Sequence, residues 1–223
     1  MLRPQLLKAI PNVKEFLRFC ETQDYAKGKT ILREGEQSDK LYLILDGSVS
    51  VMVEDEQDAD HKMVVSYLNL GDFFGEMGLF DSDDELRSAE VITREASRIA
   101  VISYERFMKI KAQFPDILFG IASQMSMRLR KTTYKLKNLA FVDVSGRIAH
   151  TLMDLATQPD AMTHPDGMQI KITRQELGKI AGCSREMAGR VLKALEEEGL
   201  VSVAGKTIVV FRAPEALTEQ TAP

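Results

Sequence analysis

Two groups of polar residues have types and spacings that could bind a ligand. The first begins with the glycine-containing residues 75–80 and continues with Arg87 and Ser88. Glycines let backbone amides approach an anion, arginine can donate two hydrogen bonds to phosphate oxygens, and serine adds a hydroxyl. Glu76 could accept a hydrogen bond from a sugar hydroxyl. The pattern indicates either a sugar-phosphate site or a glycine-rich β turn with a surface arginine, and spacing alone favours the turn.

The second group lies on a predicted helix-turn-helix. Residues 173–176 have the form of a capping box, in which Thr173 caps backbone amides at the start of a helix. A glycine turn follows, and Ser184 can cap a second helix over residues 185–198. Residues 201–211 then predict a hairpin like the wing of a winged helix.

The outer face of that second helix carries side chains that match base edges. Arg185 and Arg190 can donate to guanine O6 and N7, and Glu186 can accept from cytosine N4. Lys193 can contact phosphate, and basic residues outnumber acidic ones between positions 171 and 193. The pattern favours DNA binding, although a helical hairpin with solvated charges or a protein-binding winged helix remains open.

The elements that must position the first group are short β strands. Residues 29–101 alternate β-rich runs with turns, which is typical of an antiparallel sandwich or jelly roll. The acidic residues 54–60 are predicted to form a solvated hairpin loop. Residues 159–167 are predicted to form another loop, before the helix-turn-helix.

A long helix is predicted after Pro115, because apolar residues recur there at alternating steps of four and three. Such a seam predicts a homodimer, with packing of the helix on its own domain as the alternative. Thr132 lies in the seam beside Thr133, where paired hydroxyls could fix the helix register or contact a buried ligand. The seam residues are Leu118, Ala122, Met125, Leu129, Thr132, Leu136 and Leu139.

Composition narrows the class of protein. The chain has 223 residues, 44% hydrophobic residues and a net charge of -4, which favours two modest globular domains and does not by itself indicate nucleic-acid binding. No segment resembles a membrane helix or a secretory signal, so we expect a cytoplasmic protein without a membrane partner. Two cysteines and three dispersed histidines give no support for a disulfide scaffold or a metal site.

Several motifs together resemble the cyclic-AMP receptor/fumarate-nitrate regulator family of bacterial transcription regulators. They are residues 75–80 with 87–89, residues 138–144 and residues 182–186, and residues 158–170 are a particularly specific stretch. The resemblance covers nearly the whole chain. It implies an α+β fold with an N-terminal cyclic-nucleotide-binding β jelly roll, a long dimerisation helix over about 115–140, and a C-terminal winged helix-turn-helix. The implied domains are 1–140 and 141–223.

The resemblance also implies that cyclic AMP is an effector ligand, with no catalytic cofactor. Glu76 would hold the ribose 2′-hydroxyl, Arg87 and Ser88 the cyclic phosphate with Gly75 alongside, and Thr132 and Thr133 the adenine, one threonine from each subunit. The loop between Phe80 and Arg87 is one residue longer than in the most familiar family members and has Leu86 before the arginine.

Further partners follow from the same resemblance. Arg185, Glu186 and Arg190 match residues that read inverted half-sites resembling TGTGA. Thr163, His164 and Gly167 lie in a stretch similar to the surface that contacts the RNA polymerase α subunit, which implies a regulator that mainly activates. Glu21 and Gln23 replace basic residues of a second polymerase contact, so the sequence does not favour that contact here.

Three other functions are compatible with parts of the pattern. A regulator of the same fold could respond to cyclic di-GMP or need no nucleotide, but Glu76, Arg87 and Ser88 favour cyclic AMP. A cyclic-nucleotide phosphodiesterase is not expected, because the sequence shows no clustered His/Asp metal motif and no nucleophile–base arrangement. The winged helix could instead contact a protein. We expect a non-enzymatic DNA-binding regulator.

Overall fold

The computed structural model describes residues 10–55, 58–80 and 86–211. Contacts divide the chain into two compact units, Met1–Thr133 and Tyr134–Pro223. The elements before the long helix are α1 (Val13–Leu17), β1 (Glu21–Tyr25), β2 (Thr30–Leu32), β3 (Lys40–Asp46), β4 (Val49–Asp55), β5 (Asp58–Leu68), β6 (Phe73–Phe74), α2 (Met77–Phe80), β7 (Glu90–Thr93), β8 (Ser97–Ser103) and α3 (Tyr104–Ile110). The remaining elements are α4 (Pro115–Phe141), α5 (Val144–Ala156), β9 (Met162–His164), β10 (Gly167–Lys171), α6 (Arg174–Ala181), α7 (Arg185–Glu197), β11 (Val201–Ala204) and β12 (Thr207–Phe211).

The first unit contains two four-stranded antiparallel sheets, in the orders β1-β8-β3-β6 and β2-β7-β4-β5. Successive side chains of a strand point to opposite faces, and β3 is buried on both. Tyr42 and Ile44 join the core formed by both sheets. Leu41 and Leu43 pack instead in a core that includes Phe16 and residues of α3 and α4. The predicted antiparallel β domain is confirmed.

The predicted loop over residues 54–60 is wrong at both ends. β4 continues to Asp55 and β5 begins at Asp58, and Glu54 pairs with Lys62 across the hairpin. Lys62 forms ion pairs with Glu54 and, at 2.7 Å, with the buried Glu90. The opposite charge on the partner strand offsets the acidic run, which lets the ladder extend.

The long helix α4 agrees with the predicted span. Its early turns pack on the first unit's own core, where Ile117 and Ile121 are buried and Leu118 and Met125 are partly buried. Further along, the seam is exposed in the single chain, with exposed fractions of 69% for Leu129, 66% for Leu136 and 44% for Leu139. The alternative of packing on its own domain therefore describes only the beginning of the helix.

The second unit is a winged helix-turn-helix, as predicted. It contains the helices α5, α6 and α7 and a four-stranded sheet in the order β11-β12-β10-β9. The predicted loop over residues 159–167 is wrong in part, because Met162–His164 forms β9 and pairs with β10. A Cβ on Gly167 would lie 2.0 Å from the backbone oxygen of Val210, so glycine allows β10 and β12 to approach at this point.

Candidate functional site

Arg87 lies almost fully inside the first unit, with 7% of its surface exposed. Its Nη1 donates to the backbone oxygen of Gly75 at 2.9 Å and to the hydroxyl of Tyr104 at 2.7 Å. Its Nη2 donates to Ser38 Oγ at 2.9 Å and to the backbone oxygen of Lys40 at 2.7 Å. These four acceptors hold both terminal nitrogens of the guanidinium in one position.

The charge of Arg87 is not neutralised by these contacts. All four acceptors are uncharged oxygens, and Arg87 Nε is buried without a hydrogen-bond partner among the described residues. A buried cation is costly unless it is paired, and an unsatisfied buried donor adds to that cost. The environment of Arg87 is therefore suited to an anionic ligand.

Glu76 is also buried, at 7% exposed, and its partner comes from the long helix. Arg128 Nη1 donates to Glu76 Oε1 at 2.8 Å, and Arg128 Nη2 donates to the backbone oxygen of Phe73. Gln124, one turn earlier, donates to the backbone oxygen of Gly71 at 2.9 Å and accepts from the backbone nitrogen of Phe73 at 2.8 Å. Helix α4 thereby fixes the backbone of residues 71–76 and the carboxylate of Glu76.

Burial shifts the titration of several groups around this site. It raises the pKa of Asp72, against the lowering effects of the Asn69 backbone hydrogen bond and of Arg128 and Lys131. It also raises the pKa of Tyr42 and of Tyr104, while the charge of Arg87 acts in the opposite direction on both. Both phenols therefore stay protonated at neutral pH.

The structure brings four of the predicted ligand residues together. The backbone oxygen of Gly75 contacts Arg87, Glu76 follows Gly75 in the chain, and Ser88 follows Arg87 with its hydroxyl donating to Met77 Sδ at 3.4 Å. A Cβ on Gly75, whose φ is +74°, would lie 2.9 Å from the backbone oxygen of Lys40, so this position requires glycine.

The two threonines lie on α4. Thr132 is one helical turn beyond Arg128, which contacts Glu76, and residues four apart share a helix face. Both threonines are exposed in the single chain, and Thr133 Oγ1 donates to the backbone oxygen of Leu129 at 2.9 Å.

Several contact residues were missed by the sequence reasoning. Ser38, Tyr104, Gln124 and Arg128 are each at least twelve positions from the residues they contact here, so no local motif connects them. The sequence offered one signal for Arg128. It is a polar residue one helical turn before Thr132, so the two residues share a helix face.

The helix-turn-helix is built by local capping. Thr173 Oγ1 accepts from the backbone nitrogen of Glu176 at 3.1 Å, and Ser184 Oγ accepts from that of Met187 at 3.2 Å. Arg147 of α5 donates to the backbone oxygen of Ala181 at 2.9 Å and thereby satisfies the end of α6. A Cβ on Gly178 would lie 2.6 Å from the backbone oxygen of Cys183, so glycine permits the tight turn.

Helix α7 places its apolar and polar residues on different faces. Ala188, Val191, Leu192 and Leu195 are buried. Arg185, Glu186 and Arg190 are exposed at the start of the helix, and Lys193 is exposed one turn later, 3.6 Å from Glu197. This face can present hydrogen-bond donors and an acceptor to a nucleic-acid groove.

The three residues predicted to contact the polymerase lie on the β9–β10 hairpin. Thr163 is exposed and pairs with Met168, and His164 is partly exposed and pairs with Gly167. His164 Nδ1 lies 3.5 Å from Asp166 Oδ2. The hairpin therefore holds these residues on paired strands beside its turn.

Two sequence families match the chain. Residues 22–114 match the cyclic nucleotide-binding domain, and residues 146–220 match the Crp-like helix-turn-helix domain. The chain is 52% identical over 204 residues to the cAMP-activated global transcriptional regulator Vfr of Pseudomonas aeruginosa, covering 91% of this chain and 94% of Vfr. It is 53% identical over 201 residues to the cAMP-activated global transcriptional regulator CRP of Salmonella typhimurium, covering 90% and 94%. The chain belongs to the CRP/FNR family.

Solved structures of the CRP/FNR family agree in fold. The c-di-GMP responsive global regulator CLP of Xanthomonas campestris has a TM-score of 0.84 and 41% identity, covering 90% of this chain and 98% of CLP. A CRP/FNR family regulator from Thermus thermophilus has a TM-score of 0.74 at 24% identity, covering 86% and 94%, and its likeness concerns the fold alone. This member of the CRP/FNR family is a transcription regulator. The relatives named here are regulators rather than enzymes.

No helix among residues 10–55, 58–80 and 86–211 is long and apolar enough to cross a membrane. Within the same described ranges, no group of three or more His, Cys, Asp or Glu side chains is arranged to hold a metal ion.

Proposed function

We propose that this protein is a cyclic-AMP-responsive, dimeric regulator of bacterial transcription, mainly an activator, which binds palindromic TGTGA-type operators and contacts RNA polymerase. The observation that carries the proposal is the buried Arg87 guanidinium, which lacks an anionic partner among the described residues. Its Nη1 donates to the backbone oxygen of Gly75, which precedes the buried Glu76 in the chain. The relatives Vfr and CRP, both named as cAMP-activated, support the choice of nucleotide.

Each ligand residue then has a role that its chemistry supports. Arg87 and Ser88 bind the cyclic phosphate beside Gly75, and Glu76 accepts a hydrogen bond from the ribose 2′-hydroxyl. Thr132 and Thr133 meet the adenine, one from each subunit. Because Arg128 joins Glu76 to α4 one turn before Thr132, the ribose contact and the adenine contact belong to one connected set of residues.

A homodimer would cover the exposed half of the α4 seam. Leu129 and Leu136 are more than half exposed in the single chain, and a second copy of the helix is the partner that a repeating seam fits. The dimerisation helix would belong with residues 1–140, and residues 141–223 would form the DNA-binding domain. A symmetric dimer would present two copies of α7, which matches an inverted operator.

On DNA, Arg185, Glu186 and Arg190 read bases and Lys193 contacts phosphate. On the same unit, Thr163, His164 and Gly167 contact the α subunit of RNA polymerase. We assign no catalytic residue, no catalytic cofactor, no resident metal and no membrane partner. A regulator that binds the bacterial chromosome acts in the cytoplasm.

Cyclic AMP would act by differential affinity. A ligand shifts a protein between two conformations only as far as it binds one more tightly than the other. Cyclic AMP bound through Arg87, Glu76 and the α4 threonines would favour the dimer conformation in which both α7 helices fit successive major grooves.

A second candidate effector is cyclic di-GMP. The structure of CLP, a c-di-GMP responsive regulator, shares 41% identity with this chain over 90% of its length. Proteins similar to this chain thus include regulators that respond to different nucleotides. The binding experiment therefore includes both cyclic AMP and cyclic di-GMP.

The test is fluorescence anisotropy of a labelled palindromic TGTGA-type duplex, titrated with purified protein at one stated salt concentration. Parallel titrations contain no nucleotide, cyclic AMP or cyclic di-GMP. We expect specific binding with cyclic AMP only. Equal binding without nucleotide would overturn the gating, and a response confined to cyclic di-GMP would overturn the choice of effector. Absence of binding in all three would overturn the operator assignment.

A further inference from the structure

Tyr104, the first residue of α3, contacts both Arg87 and Gly75 of the proposed ligand site. Its hydroxyl accepts from Arg87 Nη1 at 2.7 Å and donates to the backbone oxygen of Gly75. The guanidinium carbon of Arg87 lies 5.5 Å from the centre of the Tyr104 ring. Arg87, Tyr104 and Gly75 thus form a closed set of hydrogen bonds, since Arg87 Nη1 also donates to Gly75 at 2.9 Å.

The direction of these bonds follows from the protonation of the phenol. Burial raises the pKa of Tyr104, so its hydroxyl carries one hydrogen at neutral pH. Arginine can only donate, so the phenolic oxygen must accept from Arg87 and its single hydrogen remains for Gly75. Tyr104 therefore acts as both acceptor and donor in a way that phenylalanine cannot reproduce.

The local backbone provides space for this side chain. A Cβ on Gly78 would lie 2.9 Å from the Tyr104 hydroxyl, so a larger residue at position 78 would displace the phenol. The backbone nitrogen of Tyr104 donates to the oxygen of Asp39 at 2.7 Å, and Ser103 caps the helix that Tyr104 begins. The start of α3 consequently fixes the backbone of Tyr104. Its phenol lies against Gly78 and donates to the backbone oxygen of Gly75.

We propose that Tyr104 is a positioning residue for the ligand, which holds the Arg87 guanidinium and the Gly75 backbone in the arrangement that receives a cyclic phosphate. This inference rests on the proposed function, because it concerns the same site. Without the hydroxyl, Arg87 loses one of its four acceptors and Gly75 loses one of its two donors. The guanidinium becomes freer before binding, and ordering it again weakens ligand affinity.

The first measurement needs no ligand. In ¹⁵N-labelled full-length protein, the Nε–H signal of Arg87 is assigned by its loss in Arg87→Lys, and its exchange with water is measured. We expect slow exchange in the unchanged protein and faster exchange in Tyr104→Phe. The control is Tyr25→Phe, which removes another partly buried phenol whose partner is Gln23. Equal exchange in Tyr104→Phe and the unchanged protein would overturn the proposal.

The second measurement is calorimetric titration with cyclic AMP. Tyr104→Phe should bind roughly tenfold more weakly, the size expected for one hydrogen bond to a charged group, and Tyr25→Phe should bind as the unchanged protein does. In an Arg87→Lys background the effect of Tyr104→Phe should largely disappear, whereas a general loss of structure would weaken binding equally in both backgrounds. An equal loss in both backgrounds would overturn the positioning role.

The two measurements separate the two proposals. If the unchanged protein does not bind cyclic AMP, the proposed effector is wrong, and the exchange measurement still decides whether Tyr104 holds Arg87. If cyclic AMP binds equally to the unchanged protein and to Tyr104→Phe, the effector stands and the positioning role is wrong.

Discussion

Arg87 is a buried cation whose protein partners satisfy its hydrogen bonds but not its charge. Its four acceptors are a serine, a tyrosine and two backbone oxygens, and Nε has no partner among the described residues. Such a group is stabilised most when an anion completes its environment. This environment is the physical basis for proposing that Arg87 binds the cyclic phosphate.

Replacing Arg87 by leucine should leave a folded protein that no longer responds to cyclic AMP. The loss of several charge-assisted hydrogen bonds should weaken binding by about 100-fold or more. Calorimetric titration measures the affinity, and circular dichroism checks the fold. Arg98→Leu is the control, because that arginine is exposed on β8 and pairs with Asp24. Unchanged cyclic-AMP affinity in Arg87→Leu would refute the phosphate role.

Arg190 and Lys193 should behave differently on DNA although both are exposed on α7. Arg190→Ala should cost roughly 1–3 kcal/mol of discrimination between the operator and a duplex with a substituted half-site. Lys193→Ala should weaken binding to both duplexes alike and lower the salt dependence by about one unit of slope. Anisotropy titrations with the two duplexes at several salt concentrations compare the variants. Equal losses of discrimination would contradict these roles.

At the scale of elements, signals that lie within one segment were sufficient to predict structure. The caps Thr173 and Ser184 and the repeat after Pro115 predicted three helices, because capping and helical periodicity depend only on residues a few positions apart. The strand ends within residues 54–60 and strand β9 were missed because cross-strand pairs such as Glu54 with Lys62 and Met162 with Gln169 stabilise them.

The residues of the candidate site likewise divide into those that the sequence could predict and those that only the folded structure brings together. The residues near in sequence, Gly75, Glu76, Arg87 and Ser88, could be proposed from their types and from family resemblance. Tyr104 and Arg128 could not, because only the packing of α3 and α4 against the sandwich brings them to Arg87 and Glu76. Sequence spacing carries no information on such distant contacts.

The exposed part of the α4 seam should hold the dimer together. Leu129→Lys places a charge where the partner helix would pack, so it should yield monomers at micromolar concentration. Met127→Lys is the matched control, because Met127 is 54% exposed on the same helix but lies outside the seam. Sedimentation equilibrium distinguishes the two states. A dimeric Leu129→Lys protein would show that subunits associate through another surface.

At the scale of the whole molecule, the residues proposed to bind nucleotide and those proposed to bind DNA belong to different compact units. Glu76 and Arg87 lie in the unit Met1–Thr133, and Arg185 and Arg190 lie in the unit Tyr134–Pro223. Helix α4 is the element that contacts Glu76 through Arg128 and continues beyond Thr133. An effect of the proposed nucleotide on DNA binding would therefore be a coupling free energy between two sites.

Such a coupling must be reciprocal. If cyclic AMP raises operator affinity by some factor, saturating operator DNA must raise cyclic-AMP affinity by the same factor per dimer, because both describe one thermodynamic cycle. A coupling of 1–3 kcal/mol, the usual range, corresponds to about 5- to 150-fold. Calorimetric titration of cyclic AMP into protein alone and into the protein–operator complex gives one factor, and anisotropy at matched salt gives the other. Arg87→Leu should lose both effects together. Two factors that disagree would show that nucleotide also acts on the dimer equilibrium or at another site, and DNA that leaves cyclic-AMP affinity unchanged would refute coupling through this dimer.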